Sequence, residues 1–275
     1  MRYTKRLSFA RFFAVLSLLA ALLLALCACS GSVGPAAEEK PAAEEKPAAE
    51  EKPDAQQTFT LPEGIRQLSE LDGVSAGDHV LFGNYPQNTD LPEPIEWRVL
   101  DVQDGKALLI SEYLLDCVMY NEQRTSVTWQ TCTLRKWLNE DFYDSAFSES
   151  EKARILSVNN ENRANPVYNT DGGADTEDMV FLLSIGEARE YFTGEEDAAA
   201  APTAHAVRKG VWVSKYNELG NGMKAGWWWL RSPGTDGISA ADVHGDGSVS
   251  DFGSVVVYDI NGVRPAVRVS LSDPQ

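Results

Sequence analysis

The sequence predicts an α+β domain over residues 58–275, made of short antiparallel strands with few helices between them. Three observations lead there. Short apolar runs are bounded by Gly, Pro and Asp-Gly or Asn-Gly pairs, as strands and hairpins are. A few stretches carry apolar residues at helical spacing. The two patterns mix without a regular strand–helix–strand rhythm, which speaks against a doubly wound parallel sheet. The span suits one domain with a sizeable core.

In chain order, Val80 to Gly83 reads as a strand and Asn84 to Gln87 as a turn. Ile95 to Val102 and Ala107 to Ser111 form a hairpin across Asp104-Gly105, a pair that tolerates positive φ. Thr133 to Phe142 has helical spacing, with Leu134, Trp137, Leu138 and Phe142 on one side. Ser148 followed by Glu151 is a helix start, a serine cap with an acid three residues on. Asn159 to Asp178 is a long polar surface loop, and Met179 to Leu183 a buried strand. Ile185 to Phe192 is a short helix, and Gly194 to Pro202 a flexible acidic segment.

The organising stretch is Gly226 to Val269. Trp227-Trp228-Trp229-Leu230 is an apolar run between glycines and a proline, hence a strand. Neighbours on a strand alternate faces, so Trp227 and Trp229 point one way and Trp228 the other. Either all three are core, or one floors a binding site. Ser232 to Gly237 is a loop, Ile238 to Val243 a strand, and His244 to Ser248 a hairpin turn built on Asp246-Gly247. Val255 to Tyr258 is a further strand, Asn261-Gly262 a turn, and Val263 to Leu271 the closing strand. Pro265 lacks a donor and belongs at an edge, a bulge or a strand start. Arg231 and Arg264 lie beside apolar runs; each makes a structural hydrogen-bond fork or contacts a ligand.

The N-terminus reads as an export segment. Arg2, Lys5, Arg6 and Arg11 precede the apolar run Phe12 to Leu26, too short to span a bilayer comfortably. Leu26-Cys27-Ala28-Cys29 resembles a bacterial lipobox, with Cys29 as the lipidated residue and 1–28 as the signal peptide; an ordinary signal peptide or uncleaved anchor is the alternative. Acyl chains on Cys29 would hold the chain on the extracytoplasmic face of the cell membrane. Residues 29–57 form a stalk with Pro-Ala-Ala-Glu-Glu-Lys three times in tandem from Pro35 to Lys52; prolines break helix there, and no large apolar residue can build a core. Acids number 41 against 24 bases, a formal net charge of −17, which argues against nucleic acid and against electrostatic adhesion to anionic lipid.

Candidate chemistry is sparse. Cys117 and Cys132, the cysteines of the folded region, are a disulfide or two buried thiols. Asp242-Val243-His244-Gly245-Asp246-Gly247 partly fits a calcium loop, but its twelfth position is Gly253, so a plain hairpin competes with calcium. No other cofactor and no catalytic residue is assigned. The three histidines, His79, His205 and His244, lie in separate segments.

Gly226-Trp-Trp-Trp-Leu-Arg-Ser-Pro-Gly234, a hairpin, and Gly262-Val-Arg-Pro-Ala266 together resemble an uncharacterised domain family of secreted bacterial lipoproteins. Phe82 to Gln87, Ile95 to Leu100, Ala107 to Ser111 and Cys132 to Asn139 extend the resemblance over roughly residues 74 to 271. The ending also resembles the formylglycine-generating-enzyme (sulfatase-modifying-factor) and C-type-lectin-like superfold. That resemblance implies a single lectin-like or sulfatase-modifying-factor-like domain. The formylglycine-generating enzymes hold copper on a late cysteine pair, and this chain has no cysteine after Cys132. The expectation is therefore a lipid-anchored cell-surface module, non-catalytic, binding glycan or protein. Trp227, Trp228, Trp229, Arg231, Asp242, His244 and Asp246 are its candidate ligand residues. A metal-dependent, oxygen-using enzyme of that superfold and a structural envelope protein are the alternatives.

Overall fold

The chain passes twice, side by side, from one β-sheet to another, and a buried arginine holds the two crossings together. The computed structural model describes residues 65–67 and 73–272, all within the compact unit Thr58–Gln275. The export segment, Cys29 and the stalk lie outside the described residues. The strands are β1 Ile65–Gln67, β2 His79–Pro86, β3 Pro92–Gln103, β4 Lys106–Ser111, β5 Asp116–Cys117, β6 Ile155–Leu156, β7 Val158–Asn160 and β8 Thr176–Asp178. They continue as β9 Val180–Phe181, β10 Val213–Glu218, β11 Lys224–Gly226, β12 Trp228–Pro233, β13 Ser239–Val243, β14 Val249–Val255, β15 Gly262–Val263 and β16 Ala266–Ser270. The helices are short: α1 Thr133–Trp137, α2 Tyr143–Ala146, α3 Glu149–Lys152, α4 Ile185–Tyr191, α5 Glu195–Ala198 and α6 Ala204–Lys209. The result is a small, strand-rich, largely antiparallel-sheet domain.

The first sheet runs β1-β2-β3-β4-β16-β6, with β9 also paired to β16. Its β3–β4 hairpin turns at Asp104 and Gly105, at φ 52° and 69°, as the Asp-Gly pair predicts. The second sheet runs β14-β13-β12-β15-β5. Closing residues 263–271 are not one strand. β15 belongs to the second sheet and β16 to the first, with Arg264-Pro265 between them. Pro265 has no N–H to give, and it sits at the break where none is needed. The preceding crossover, from β4 to β5, runs beside it: Ser111 N donates to Pro265 O at 3.0 Å and Leu115 N to Val263 O at 2.9 Å.

Arg264 is fully buried at this junction. Its Nε donates to Ser111 O at 2.9 Å and Nη1 to Ala198 O at 3.1 Å. The guanidinium lies 5.3 Å from the Phe192 ring and 5.2 Å from the Trp228 ring. Burial pulls its pKa down to about 9, still above neutrality, so the cation is kept. The Ala198 carbonyl also accepts Trp228 Nε1 at 3.1 Å. One apolar core spans both sheets, and its buried tryptophans all place their N–H on an acceptor: Trp97 on Phe82 O, Trp129 on Asp178 Oδ2, Trp229 on Val118 O.

Four local expectations are corrected. Asn84 to Pro86 continue β2, paired to Pro92–Pro94, because the bend is taken up by a register shift after Leu81. The strand expected at Val255 to Tyr258 lies earlier, at Val249–Val255; Tyr258 N bonds Val255 O at 2.9 Å, turning the chain. Gly194 to Pro202 is not a free segment, since Ala198 to Ala201 are buried and Gly226 N and Leu114 N bond Ala200 O and Ala201 O. The loop 159–178 has its ends paired as β7 and β8. Asp178 is buried there and accepts Trp129, Asn160 and Thr176, with Arg135 Nε at 2.5 Å. The Thr133–Phe142 helix forms, but its second half, Leu138–Phe142, winds as a π turn. That turn places Asn139 where it accepts Met179 N and donates to Val180 O, capping β9.

Arg264→Ala is expected to lower unfolding free energy by about 3 kcal/mol, because it takes a buried donor from the Ser111 carbonyl, leaves the Ala198 carbonyl to Trp228 Nε1 alone, and empties the slot between two rings. Arg264→Lys should recover less than half of that, since one ammonium cannot reproduce the fork. Urea unfolding followed by tryptophan fluorescence checks both; a wild-type midpoint in either variant contradicts this role.

Candidate ligand-binding site

Two hairpins meet at one edge of the second sheet. The β10–β11 hairpin pairs Val213 with Gly226, which sets the residues flanking it, Trp212 and Trp227, next to each other. Their rings lie 5.2 Å apart, tilted by 58°. The β13–β14 hairpin closes with His244 N on Ser248 O at 3.0 Å and Gly247 N on His244 O at 2.9 Å, as its Asp-Gly turn predicts. Gly245 packs so closely that a Cβ there would stand 3.2 Å from Ser214 Cβ, so the turn lies on the first hairpin. This brings the His244 ring onto Trp227, stacked at 4.3 Å and 19°. A three-ring array results, with Trp212 at its open end, 42 % exposed.

The same turn forms one wall of an open cleft of about 810 Å³. Tyr216, Asn217 and Glu218 from β10 line it, with Asp246 from the turn and Arg98 and Glu112 from the first sheet. Tyr216 is 89 % exposed, a large ring with no packing role in the fold. Arg98 is clamped by Glu112, Nε and Nη2 each donating at 2.9 Å. Asp246 Oδ1 accepts from Ser248 Oγ at 2.7 Å and from Ser248 N at 3.1 Å, and these bonds hold its carboxyl below the ordinary range. Lys224 binds Glu218 at 2.6 Å and lowers it likewise.

Asp242 is fully buried beneath the array. Its Oδ2 accepts Ser254 Oγ at 2.5 Å and Asn261 Nδ2 at 3.0 Å, and its Oδ1 lies 3.6 Å from His244 Nε2. Burial pushes its carboxyl up, against the pull of Ser254, Asn261 and His244. It is therefore a support for His244 and does not reach solvent. With Asp242 turned inward and Asp246 engaged by its own turn, the oxygens of a calcium loop do not converge. Gly253, at the position where such a loop needs an acid, has φ +73° and sits against Ala240 O, at a break in the β13–β14 register. Among the described residues no three His, Cys, Asp or Glu side chains gather as a metal site.

Of the residues singled out in the sequence, Trp227, His244 and Asp246 come together, with Asp242 behind them. Trp228 and Trp229 face opposite ways, but both faces are covered: Trp228 by Phe192 and Arg264, Trp229 by Tyr120. Arg231 is a buried fork to Leu182 O and Glu187, away from this array. Burial raises the Glu187 carboxyl, but Arg231 outweighs it and leaves Glu187 below its usual range. Trp212, Tyr216 and Asn217 escaped sequence reading; the turn chemistry of Gly220-Asn221-Gly222 between Trp212 and Trp227 was the available signal.

Of the two readings of Cys117 and Cys132, a disulfide or two buried thiols, the structure has the second: both are free and buried. Cys117 Sγ donates to Asp259 O at 3.2 Å beside β15, whereas Cys132 caps α1, accepting Arg135 N at 3.4 Å and donating to Trp129 O. The two sulfurs are committed to different elements. Burial pushes each thiol up to about 12, so neither is a ready nucleophile.

With this geometry in place, comparison with known proteins gives one match. The family described as Domain of unknown function (DUF6273) matches residues 104–271, and the chain belongs to it. No curated protein and no solved structure matches.

Iodoacetamide labelling with peptide mapping should find Cys117 and Cys132 unmodified in the folded protein at pH 8 and fully alkylated in denaturant without reductant. At that pH only about one thiol in 10,000 is ionised when its pKa is about 12. Alkylation in denaturant only after reduction would restore the disulfide.

Proposed function

We propose that the chain is a lipid-anchored, extracytoplasmic, non-catalytic module that binds glycan. One observation carries the proposal: the Trp212–Trp227–His244 array, open at Trp212, shares the His244–Asp246 turn with a cleft lined by amide and carboxylate side chains. A sugar ring offers an apolar C–H face and a rim of hydroxyls. Aromatic faces take the first, and Asn217, Glu218 and Asp246 suit the second. A glycosidase needs a carboxyl raised to act as acid; Glu218, paired with Lys224, and Asp246, held by Ser248, are both lowered, which favours binding over glycoside hydrolysis in this cleft.

The anchor rests on the Leu26–Cys29 sequence. The lectin-like or sulfatase-modifying-factor-like assignment belongs to the same proposal, supported by the tryptophan strand, the hairpin and the closing Val-Arg strand that end the domain.

Two measurements test this. Cys29→Ser is expected to move the protein from the membrane to the soluble fraction; retention at the membrane would refute the anchor. In detergent, the full chain should show saturable tryptophan-fluorescence change with at least one class of oligosaccharide. Trp212→Ala should weaken that binding about tenfold, the loss of one stacked ring. A panel of neutral, acidic and amino oligosaccharides without response would remove the glycan reading.

A further inference from the structure

We infer that the cleft selects glycans carrying free amino groups, that Asp246 makes that choice, and that Tyr216 supplies a ring on which the sugar stacks. The inference rests on the glycan reading above and adds the ligand's charge.

The cleft lining holds one cation, Arg98, against four carboxylates: Glu112, Asp197, Glu218 and Asp246. Arg98 is not available to an anion. Its Nε and Nη2 are spent on Glu112 and its Nη1 donates to Asp197 O at 3.3 Å. Lys224 offsets Glu218. Among the described residues two carboxylates of this lining remain unpaired with Lys or Arg, Asp197 and Asp246, the second with His244 as its nearest basic neighbour. Asp246 is exposed, and only its Oδ1 is engaged, by Ser248; a charge-assisted bond from an ammonium group is the complement its other oxygen lacks. In the same cleft lining, the exposed Tyr216 ring offers a face that attracts a cation and stacks on a sugar equally well.

Together these features discriminate by sign. A uronic or sialic acid would bring its carboxylate to a wall whose one guanidinium is already engaged and where two carboxylates have no Lys or Arg partner. The whole chain, at a formal −17, repels it before contact. An N-acetylated sugar would stack but leave Asp246 unpaired. A free amino sugar satisfies the ring and the carboxylate at once.

The test is fluorescence titration of the full chain in detergent at about pH 5.5 and low salt with three probes: a chitosan tetramer, the fully N-acetylated chitin tetramer, and a tetragalacturonate. The chitosan tetramer is expected to bind at least about tenfold tighter than the chitin tetramer, and the tetragalacturonate most weakly, with the preference shrinking as salt is raised. Asp246→Asn keeps the amide oxygen that caps the turn and should bring the chitosan and chitin affinities to within about twofold. Tyr216→Ala, at a site outside the core, should weaken both. Equal or tighter binding of the chitin tetramer or the galacturonate, or an unchanged preference in Asp246→Asn, overturns this inference and leaves glycan binding standing. No response to any of the three probes overturns both.

Discussion

The buried Arg264 guanidinium is the constraint on which the rest depends. A cation so deep is tolerated because two aromatic faces and two carbonyls replace its water. Each of those partners belongs to a different part of the chain. Ser111 is the last residue of β4, Ala198 closes α5, Phe192 follows α4 and Trp228 opens β12. A neutral residue of similar volume could fill the slot, but it could not specify this meeting of four segments. The polar group contributes uniqueness of the fold at the cost of burial.

The site inherits its geometry from that junction. Trp228 is fixed by Arg264 and by the Ala198 carbonyl, and its position sets where β12 begins. Trp227, one residue earlier and outside the strand, is left half-buried at the surface. The β10–β11 hairpin then adds Trp212 from one side and the β13–β14 turn adds His244 from the other. Asp242, buried under Ser254 and Asn261, stiffens the base of that turn. Each of the three rings thus sits one residue beyond the end of a paired strand rather than on a long loop, which favours a preformed surface.

How much of this the sequence discloses depends on the range of the forces involved. Turns such as Asp104-Gly105 and Asp246-Gly247 are legible because positive φ is a property of the residues themselves. The tryptophan strand and the Ile185 helix are legible from periodicity. The break at Arg264-Pro265 is visible only as a missing donor; that the chain changes sheets there follows from partners more than a hundred residues away. Ala198 to Ala201 look unstructured because small residues carry no periodic signal, yet their backbone carbonyls are what Arg264, Trp228 and Gly226 need. For the site, Trp227 is legible from the tryptophan run and His244 and Asp246 from the hairpin turn, but their meeting is not. Tyr216 and Asn217 are not legible, because they reach the cleft through the pairing of β10 with β11, which no local pattern encodes.

The position of β16 bears on the order in which the molecule can be assembled. It is the last of the described strands, yet it pairs with β4, β6 and β9 and so completes the middle of the first sheet rather than its rim. Until it arrives, β4 presents an open, apolar edge, and the hairpin made with β3 is half a sheet. Such long-range closure is slow, because loop entropy must be met before the contacts form. A chain that emerges N-terminus first holds an unfinished first sheet until β16 joins it.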